Sequence, residues 1–314
     1  MTTLESWTLI LILAALPAFA GSEPPLNPGD VVSAGGFGCS GTALYRRGSA
    51  WPSPLSNAQF FFSRPTGLMT YSPALNRMIL SAATTLEILD TDGHITPLLT
   101  LPEKARVTAL AGVGREILAV VVLPTPSYHF ELWRIAATTG AVTEQIGLPL
   151  SPPPLFVQDI TSIDLAADRC TLAYAVVGEV IHRYDICARR PLEDLATGPA
   201  WAVHFLPHGN ILVSELLSSG AQPIAVTLGS FIRLARYDRE GRLVSTAYGG
   251  GSITSIALDP DGSTAWIGSF CSFMAVDVSS GARIGGPWPF GGFGVAVAGE
   301  WRAAEQPVRG RAIR

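Results

Sequence analysis

Two of the five histidines are spaced closely enough to suggest metal chemistry. His204 and His208 lie four residues apart, the spacing that would bring two imidazoles to one zinc ion if the segment were helical. Pro207 lies between them, in a segment with the pattern of a strand followed by a turn, so solvated or hydrogen-bonded roles are favoured. Asp90–Gly93 resembles the beginning of a calcium loop, but no Glu follows at the required position. These residues therefore predict no metal site.

The glycine-rich segments lack the surroundings that phosphate binding needs. Gly35–Gly38 and Gly291–Gly294 are followed by neither a basic residue nor a helical pattern, and a phosphate loop requires both. The sequence also contains no Gly-x-Ser-x-Gly nucleophile elbow. These motifs predict tight turns rather than a reaction.

The four cysteines indicate structural disulfides, because their number is even and no Cys-x-x-Cys redox motif occurs. If Gly178–Glu179 forms a type II′ turn, Val177 faces Val180 across a hairpin. Counting back along both strands then places Cys170 opposite Cys187 as a non-hydrogen-bonded pair, with Cα atoms about 4.5 Å apart. We therefore predict a Cys170–Cys187 disulfide.

The other two cysteines take equivalent positions in the first and last units of the repeat described next. Cys39 and Cys271 each lie between the second and third strands of their unit. Those units are neighbours only if the fold is a closed ring, in which case a Cys39–Cys271 bridge would join its two ends. Two separately buried thiols are the alternative.

A repeat must position all of these residues. An alternating strand, a turn ending in Gly and a second strand recur six times, with successive turns about 40 to 52 residues apart. In one unit Arg189 or Arg190 stands where the glycine belongs. The turn glycines are Gly48, Gly93, Gly140, Gly241 and Gly281.

Each unit also contains an upstream pair of strands, and four strands per unit is the organisation of a propeller blade. The predicted innermost strands are Gly67–Tyr71, Val107–Ala111, Ile160–Leu165, Trp201–Leu206 and Ile253–Leu258. The predicted second strands are Arg77–Ala82, Glu116–Val122, Cys170–Val176, Asn210–Glu215 and Ala265–Phe270.

The first unit lacks an innermost strand, and Gly294–Gly299 can supply one from the other end of the chain. This pairing would close the ring and remove two exposed sheet edges. We predict an all-β fold, a six-bladed β-propeller of four-stranded blades, closed by pairing of the C-terminal strand with the N-terminal blade.

A family resemblance supports this fold. Ile256–Gly262 with Ala265–Gly268, and separately Phe205–Glu215, resemble the repeat of NHL and SMP-30/gluconolactonase-type propellers. The resemblance extends over most of the predicted mature chain, but it is a blade signature. It implies the fold strongly and the function weakly, because one fold hosts many functions.

The SMP-30-type enzymes resembled here hold a calcium ion with carboxylate and Asn side chains at one mouth of the channel. None of the four Asn residues begins a predicted innermost strand, so the calcium site cannot be transferred to this chain. The Asn residues are Asn27, Asn57, Asn76 and Asn210. The aligned strand starts carry Asp159, Ala200, Ser252 and Arg106. We therefore predict no cofactor, and calcium lacks a ligand set.

Composition and the N-terminal segment indicate an exported protein without a surface for nucleic acid. Hydrophobic residues make up 48% and charged residues 15%, and the net charge of -4 offers no footprint for nucleic acid. The apolar run Trp7–Leu16, with small residues before Gly21, predicts a signal peptide over residues 1–20. An uncleaved anchor or a wrong start codon is the alternative. Residues 21–29 are predicted as a linker, 30–300 as the propeller and 301–314 as a flexible tail, in a secreted or periplasmic protein without a further membrane span.

The leading functional hypothesis is a monomeric, non-catalytic module that binds a protein or small ligand on one face of the ring. Asp159, Trp201 and His204 are the candidate channel-mouth residues, although Trp201 and Trp288 also suit packing between blades. A hydrolase of the SMP-30/gluconolactonase type with a divergent site is one alternative. A structural, envelope-associated propeller is the other.

Overall fold

The computed structural model describes residues 25–35, 41–55, 68–82, 84–124, 129–150, 159–216, 232–249, 253, 255–269, 271–289 and 294–299. Within these ranges the chain forms six four-stranded antiparallel sheets, the blades of a β-propeller. The described helical structure is one short 3-10 turn at Pro207–Gly209. No helix in these ranges is long and apolar enough to cross a membrane. The predicted fold is confirmed.

The strands are numbered along the chain and run from the innermost to the outermost position in blades 2 to 6. Blade 1 contains β1 (Val31–Ala34), β2 (Thr42–Tyr45) and β3 (Ser53–Pro54), with β24 (Gly294–Val297) innermost. Blade 2 contains β4 (Met69–Ser72), β5 (Arg77–Ala82), β6 (Thr85–Leu89) and β7 (Ile95–Thr100). Blade 3 contains β8 (Arg106–Val113), β9 (Glu116–Leu123), β10 (His129–Ala136) and β11 (Val142–Gly147).

The remaining three blades follow the same order. Blade 4 contains β12 (Ile160–Leu165), β13 (Thr171–Val176), β14 (Ile181–Asp185) and β15 (Arg190–Leu195). Blade 5 contains β16 (Ala200–Phe205), β17 (Ile211–Leu216), β18 (Ile232–Tyr237) and β19 (Leu243–Gly249). Blade 6 contains β20 (Ser255–Leu258), β21 (Thr264–Ser269), β22 (Ser272–Asp277) and β23 (Arg283–Trp288).

Turn chemistry ends the strands where the sequence predicts it. In blade 6 the Asp259 N–H and the Gly262 N–H close the turn between β20 and β21. Gly262 has a φ of +70°, a conformation that favours glycine. A Cβ there would also lie 2.5 Å from the Pro207 side chain of blade 5, so this glycine allows two blades to approach.

The ring is closed by both ends of the described chain. β24 pairs antiparallel with β1, from Val31 opposite Val297 to Ala34 opposite Gly294. Beyond the strands, Gly29 N–H donates to the Ala298 carbonyl at 2.8 Å. The predicted closure is therefore confirmed.

Hydrophobic clusters fill the seams between neighbouring blades, because each blade buries both of its faces. Six clusters among the described residues correspond to the six seams of the ring. At the closing seam, Tyr45 of blade 1 contacts Trp266 and Trp288 of blade 6 with ring centroids 5.1 and 5.0 Å apart. Aromatic pairs at these distances stabilise a fold beyond the contribution of the apolar area that they bury. Trp288 therefore packs between blades.

Residues 25–29, assigned to the linker from sequence, lie against the ring. Leu26 is 5% exposed and packs in the cluster between blades 1 and 2. The Pro25 carbonyl accepts a hydrogen bond from Arg46. The predicted signal peptide and C-terminal tail, residues 1–20 and 301–314, lie outside the described residues.

The Cys170–Cys187 disulfide is confirmed, with Cα atoms 5.2 Å apart. Its predicted strand register is wrong by one residue. Ala175 faces Ile181, whereas the predicted pairing of Val177 with Val180 would place Ala175 opposite His182. Glu179 N–H donates to the Val176 carbonyl, so the hairpin loop is one residue longer than a two-residue II′ turn. The bridge consequently joins the residues flanking β13 and β14 instead of a pair within the ladder.

The second predicted bridge is not settled by the described residues. Cys271 is disulfide-bonded. Cys39, the partner predicted from sequence, lies outside the described residues, so the Cys39–Cys271 pairing stays a prediction.

Candidate functional site

All six innermost strands line a central channel with a free volume of about 170 Å³. Polar and apolar atoms contribute about equally to the exposed surface of its wall. Besides the aromatic side chains of Tyr71 and Trp201, which carry a hydroxyl and an indole N–H, the polar side chains among the described lining residues are Thr70, Thr161, Ser162, Asp164, His204 and Ser255. Four of these six residues lie on the adjacent strands β12 and β16, so the polar groups are concentrated on one wall.

An innermost strand has one edge without a ladder partner, and side chains of β12 cover that edge of β16. The Thr161 hydroxyl donates to the Trp201 carbonyl at 2.5 Å. The Ser162 hydroxyl lies 3.2 Å from both the N and the O of Val203, donating to the carbonyl and accepting from the N–H. These contacts satisfy backbone groups that would otherwise remain unpaired in the channel wall.

Asp164 and His204 form a polar pair on that wall. Asp164 accepts hydrogen bonds from the Leu165 and Phe205 N–H groups at 2.9 and 2.8 Å. Its carboxylate oxygen Oδ2 lies 3.9 Å from His204 Nδ1. The side chain of Asp164 is 8% exposed and that of His204 is 21% exposed. The imidazole is therefore the more accessible member, and it can donate or accept a hydrogen bond in the channel.

Two of the three candidate channel-mouth residues line the channel, and the third does not. Trp201 and His204 line the channel. Asp159 is not among its lining residues and forms a two-point ion pair with Arg106, at 2.6 and 2.8 Å. Because Arg106 begins β8 and Asp159 precedes β12, this pair joins blades 3 and 4.

Sequence reasoning missed the polar residues within the innermost strands, above all Asp164, Ser162 and Ser255. A usable signal existed in Ile160–Leu165, where hydroxyls and a carboxylate interrupt a strand predicted to be buried. Buried polar groups need partners, so such residues point either to a neighbouring backbone edge or to a ligand. Here the β12 residues serve the neighbouring edge.

A buried carboxylate in blade 5 has a structural role. Glu215 is 1% exposed and accepts hydrogen bonds from Arg233, the Tyr237 hydroxyl and the Gly198 N–H. Burial, together with the hydrogen bond to Glu215, raises the pKa of Tyr237. The group anchors the segment before β16 to the blade.

A second cluster lies on blade 4. His182 stacks on Tyr174 with ring centroids 5.2 Å apart, and its two ring nitrogens face Glu179 and Asp194 at 2.9 and 3.1 Å. Burial raises the pKa of Tyr174 to about 12, with a contribution from the two nearby carboxylates. These side chains satisfy one another, and none of them is among the described residues that line the channel.

The described residues do not fit the calcium site that the resemblance implies. Asp164 is the only carboxylate in the described channel lining, and each of its oxygens already accepts a backbone N–H. Calcium requires six or more converging oxygen ligands. The group formed by Cys170, Asp185 and Cys187 has ligand spacing, but its sulfurs form the disulfide and cannot act as thiolate ligands.

Comparison with known proteins gives a likeness in fold alone. No protein-family model matches the chain, and no curated protein matches it. A solved structure described as a protein of unknown function from Bacteroides caccae is similar, with a TM-score of 0.58 and 11% sequence identity. The alignment covers 86% of this chain and 98% of that one. It supports the propeller, and the NHL and SMP-30 resemblance remains at the level of the blade.

Proposed function

We propose that this propeller is a binding module that holds a small ligand in its central channel. The observation that carries the proposal is the composition of the channel wall, which combines apolar side chains from all six blades with polar groups that are concentrated on β12 and β16. Sites for small ligands combine apolar surface with a few placed polar groups in this way. The volume of about 170 Å³ is below that of drug-sized pockets and suits a compound of fragment size.

The way the polar groups are used favours binding over catalysis. Thr161, Ser162 and Asp164 bind backbone groups of β16, and the His204 imidazole is the more accessible member of the Asp164–His204 pair. An imidazole at the channel wall can orient a ligand by hydrogen bonding. Nucleophilic catalysis would need a nucleophile within hydrogen-bond reach of it as well.

A divergent hydrolase of the SMP-30/gluconolactonase type is the second candidate. The Asp164–His204 pair favours it, because a carboxylate beside an imidazole is a common general-base arrangement. That candidate requires turnover of a lactone or ester by the wild-type protein, whereas the binding module requires none.

The compartment forms part of the proposal. The Cys170–Cys187 disulfide suits an oxidising environment, and the predicted signal peptide over residues 1–20 would deliver the chain there. We therefore propose a secreted or periplasmic binding protein.

A channel-filling variant tests the proposal. A library of fragment-sized compounds is screened by saturation-transfer NMR against the wild type and against Leu110→Trp, since Leu110 lines the channel and is only partly buried. We expect the compounds that bind the wild type to lose binding to Leu110→Trp, because the indole would occupy the free volume.

The matched control is Leu243→Trp, the same change at a position 51% exposed on the outermost strand of blade 5. This variant should keep all of the ligands. Met69→Trp fills the channel from another blade and guards against local misfolding of the first variant. Ligands that bind Leu110→Trp and Met69→Trp as well as the wild type, or a library without any binder, would contradict the proposal.

A further inference from the structure

The free edge of β20 differs from the covered edge of β16. Asp259 N–H donates to the Thr264 carbonyl at 2.9 Å, which makes this a hydrogen-bonded pair at the end of the β20–β21 ladder. Hydrogen-bonded and non-hydrogen-bonded pairs alternate in an antiparallel ladder. The N–H and C=O groups of Ile256 and Leu258 therefore point away from β21, toward the channel that both residues line.

β16 shows the same alternation, because the backbone N–H and C=O groups on its free edge form hydrogen bonds with side chains of β12. Leu206 N–H donates to the Asn210 carbonyl, so the backbone groups of Val203 and Phe205 should lie on the free edge. Ser162 and Asp164 of β12 do bind these two residues. The alternation thus identifies the free-edge residues of β16 correctly, and the same alternation places Ile256 and Leu258 on the free edge of β20.

At Ile256 the neighbouring strand β16 does not cover the edge of β20 in this way, among the residues that the structure describes. Trp201, Ala202 and His204 of β16 occupy the positions in their blade that Thr161, Ser162 and Asp164 of β12 occupy in the preceding one. The two sets are forty residues apart in the sequence. Ala202 has no hydroxyl to place where Ser162 places one. Within the described part of the chain, the N–H and C=O of Ile256 make no hydrogen bond outside the ladder. β16 and β20 are also the least closely packed pair of adjacent innermost strands.

A further polar atom lies on the same strand. The Ser255 hydroxyl oxygen is buried and makes no hydrogen bond with any described residue. Buried backbone and hydroxyl groups are nearly always paired in native proteins, with protein, water or ligand. This section of the wall therefore presents a donor and an acceptor from one residue, with a hydroxyl beside them and apolar surface around them.

We propose that the channel ligand carries a peptide-like amide group, which pairs with the N–H and C=O of Ile256 as an added strand residue would. The inference rests on the proposed binding function and names the ligand class. A residue in extended conformation offers its own N–H and C=O on one side, and these complement a free strand edge. His204 and Trp201 of the adjacent strand β16 line the channel beside this edge.

Two matched probes test this ligand class. N-acetyl-L-alanine N′-methylamide has the required N–H and C=O, and O-acetyl-L-lactic acid N-methylamide replaces the alanine N–H by an ester oxygen. Binding is followed on the full chain labelled with ¹⁵N-isoleucine, with the Ile256 amide signal assigned from the Ile256→Val variant, which keeps the backbone. We expect the amide probe to shift the Ile256 signal saturably, and the ester to bind roughly tenfold more weakly.

Equal affinity for the two probes, an unmoved Ile256 signal, or no binding of the amide probe would overturn the inference. The fragment screen separates this failure from failure of the proposed function. Fragments that bind the wild type and not Leu110→Trp would preserve the channel as a binding site and reject only the amide class. If no fragment enters the channel, both proposals are wrong.

Discussion

Asp259 is a buried carboxylic acid at the end of β20, and a hydrogen bond from Trp266 compensates in part for its burial. It is 5% exposed and accepts a hydrogen bond from the Trp266 indole at 2.8 Å. Burial raises the pKa of Asp259, and the nearby Asp261 adds to that rise, whereas the bond from Trp266 and the charge of Arg47 oppose it. The carboxyl is therefore easier to protonate in the folded chain than in the unfolded one.

This pKa shift predicts a pH-dependent effect of Asp259→Asn. A carboxyl with a raised folded pKa has no ionisation penalty below its unfolded pKa of about 4, and a growing penalty as the pH rises through the folded value. The amide keeps an oxygen for Trp266 and cannot ionise. We expect the free energy of unfolding of the variant to rise relative to the wild type between about pH 4 and pH 7, measured by urea denaturation.

The control Asp261→Asn should show the opposite sign. Burial acts to raise the pKa of Asp261, but the hydrogen bonds from Ser263 outweigh it and lower the pKa. Its contribution to stability is present above the unfolded pKa and is lost as the pH falls through the folded value. Parallel pH profiles for the two variants would contradict this reading of Asp259.

Single residues were the part of the site least accessible from sequence. His204 and Trp201 were identified because they lie in a predicted innermost strand, and both line the channel. The sequence does not reveal Asp164 because two of its partners, the Phe205 N–H and His204, belong to another blade about forty residues away. Contacts across a seam depend on how blades approach one another, which a strand pattern does not specify.

The innermost strands β4 and β8 approach each other so closely that there is no room for a side chain at Gly112. A Cβ on Gly112 of β8 would lie 1.8 Å from the Tyr71 carbonyl oxygen of β4. The Gly112 N–H also donates to the Thr70 hydroxyl at 2.9 Å. The glycine thus allows two blades to share a hydrogen bond at the channel wall.

Gly112→Ala should therefore destabilise the ring strongly, because one of the two strands must move. We expect a loss of about 3 kcal/mol or more in the free energy of unfolding, at the upper end of overpacking effects. Gly147→Ala is the matched control, since a Cβ on Gly147 of the outermost strand β11 meets nothing within 4 Å. That variant should stay within about 0.5 kcal/mol of the wild type. Similar losses for both would show that β4 and β8 are not in close contact.

Sequence reasoning performed well for elements and less well for their register. Ile160–Leu165 and Arg77–Ala82 match the observed strands at both ends, because alternation and turn residues are local signals. The hairpin around Gly178 was wrong by one residue, since a three-residue loop and a two-residue turn both accommodate a glycine with positive φ there. The disulfide survived the error because Cys170 and Cys187 flank the strands.

Hydrophobic seams join every blade of the molecule to its two neighbours, so we expect the ring to unfold as one unit. Each blade contributes to two hydrophobic clusters, and the cluster between blades 6 and 1 contains Val295 and Val297 from β24 together with Val31 from β1. All three are at most 5% exposed. The closing strand therefore completes both blade 1 and a seam, and it also forms one side of the channel.

Comparing a chain that ends at residue 289 with one that ends at residue 301 tests the central claim, a ring whose channel exists only when β24 closes it. Thermal unfolding is measured for both by circular dichroism, together with fragment binding by NMR. Losing the buried β24 side chains removes about 5 kcal/mol of hydrophobic stabilisation, so the shorter chain should melt at least ~10 °C lower. It should also bind none of the fragments, because β24 forms one side of the channel. The longer chain should match the full protein in both respects. If the chain ending at residue 289 melted and bound fragments like the full protein, the closed-ring account would be contradicted.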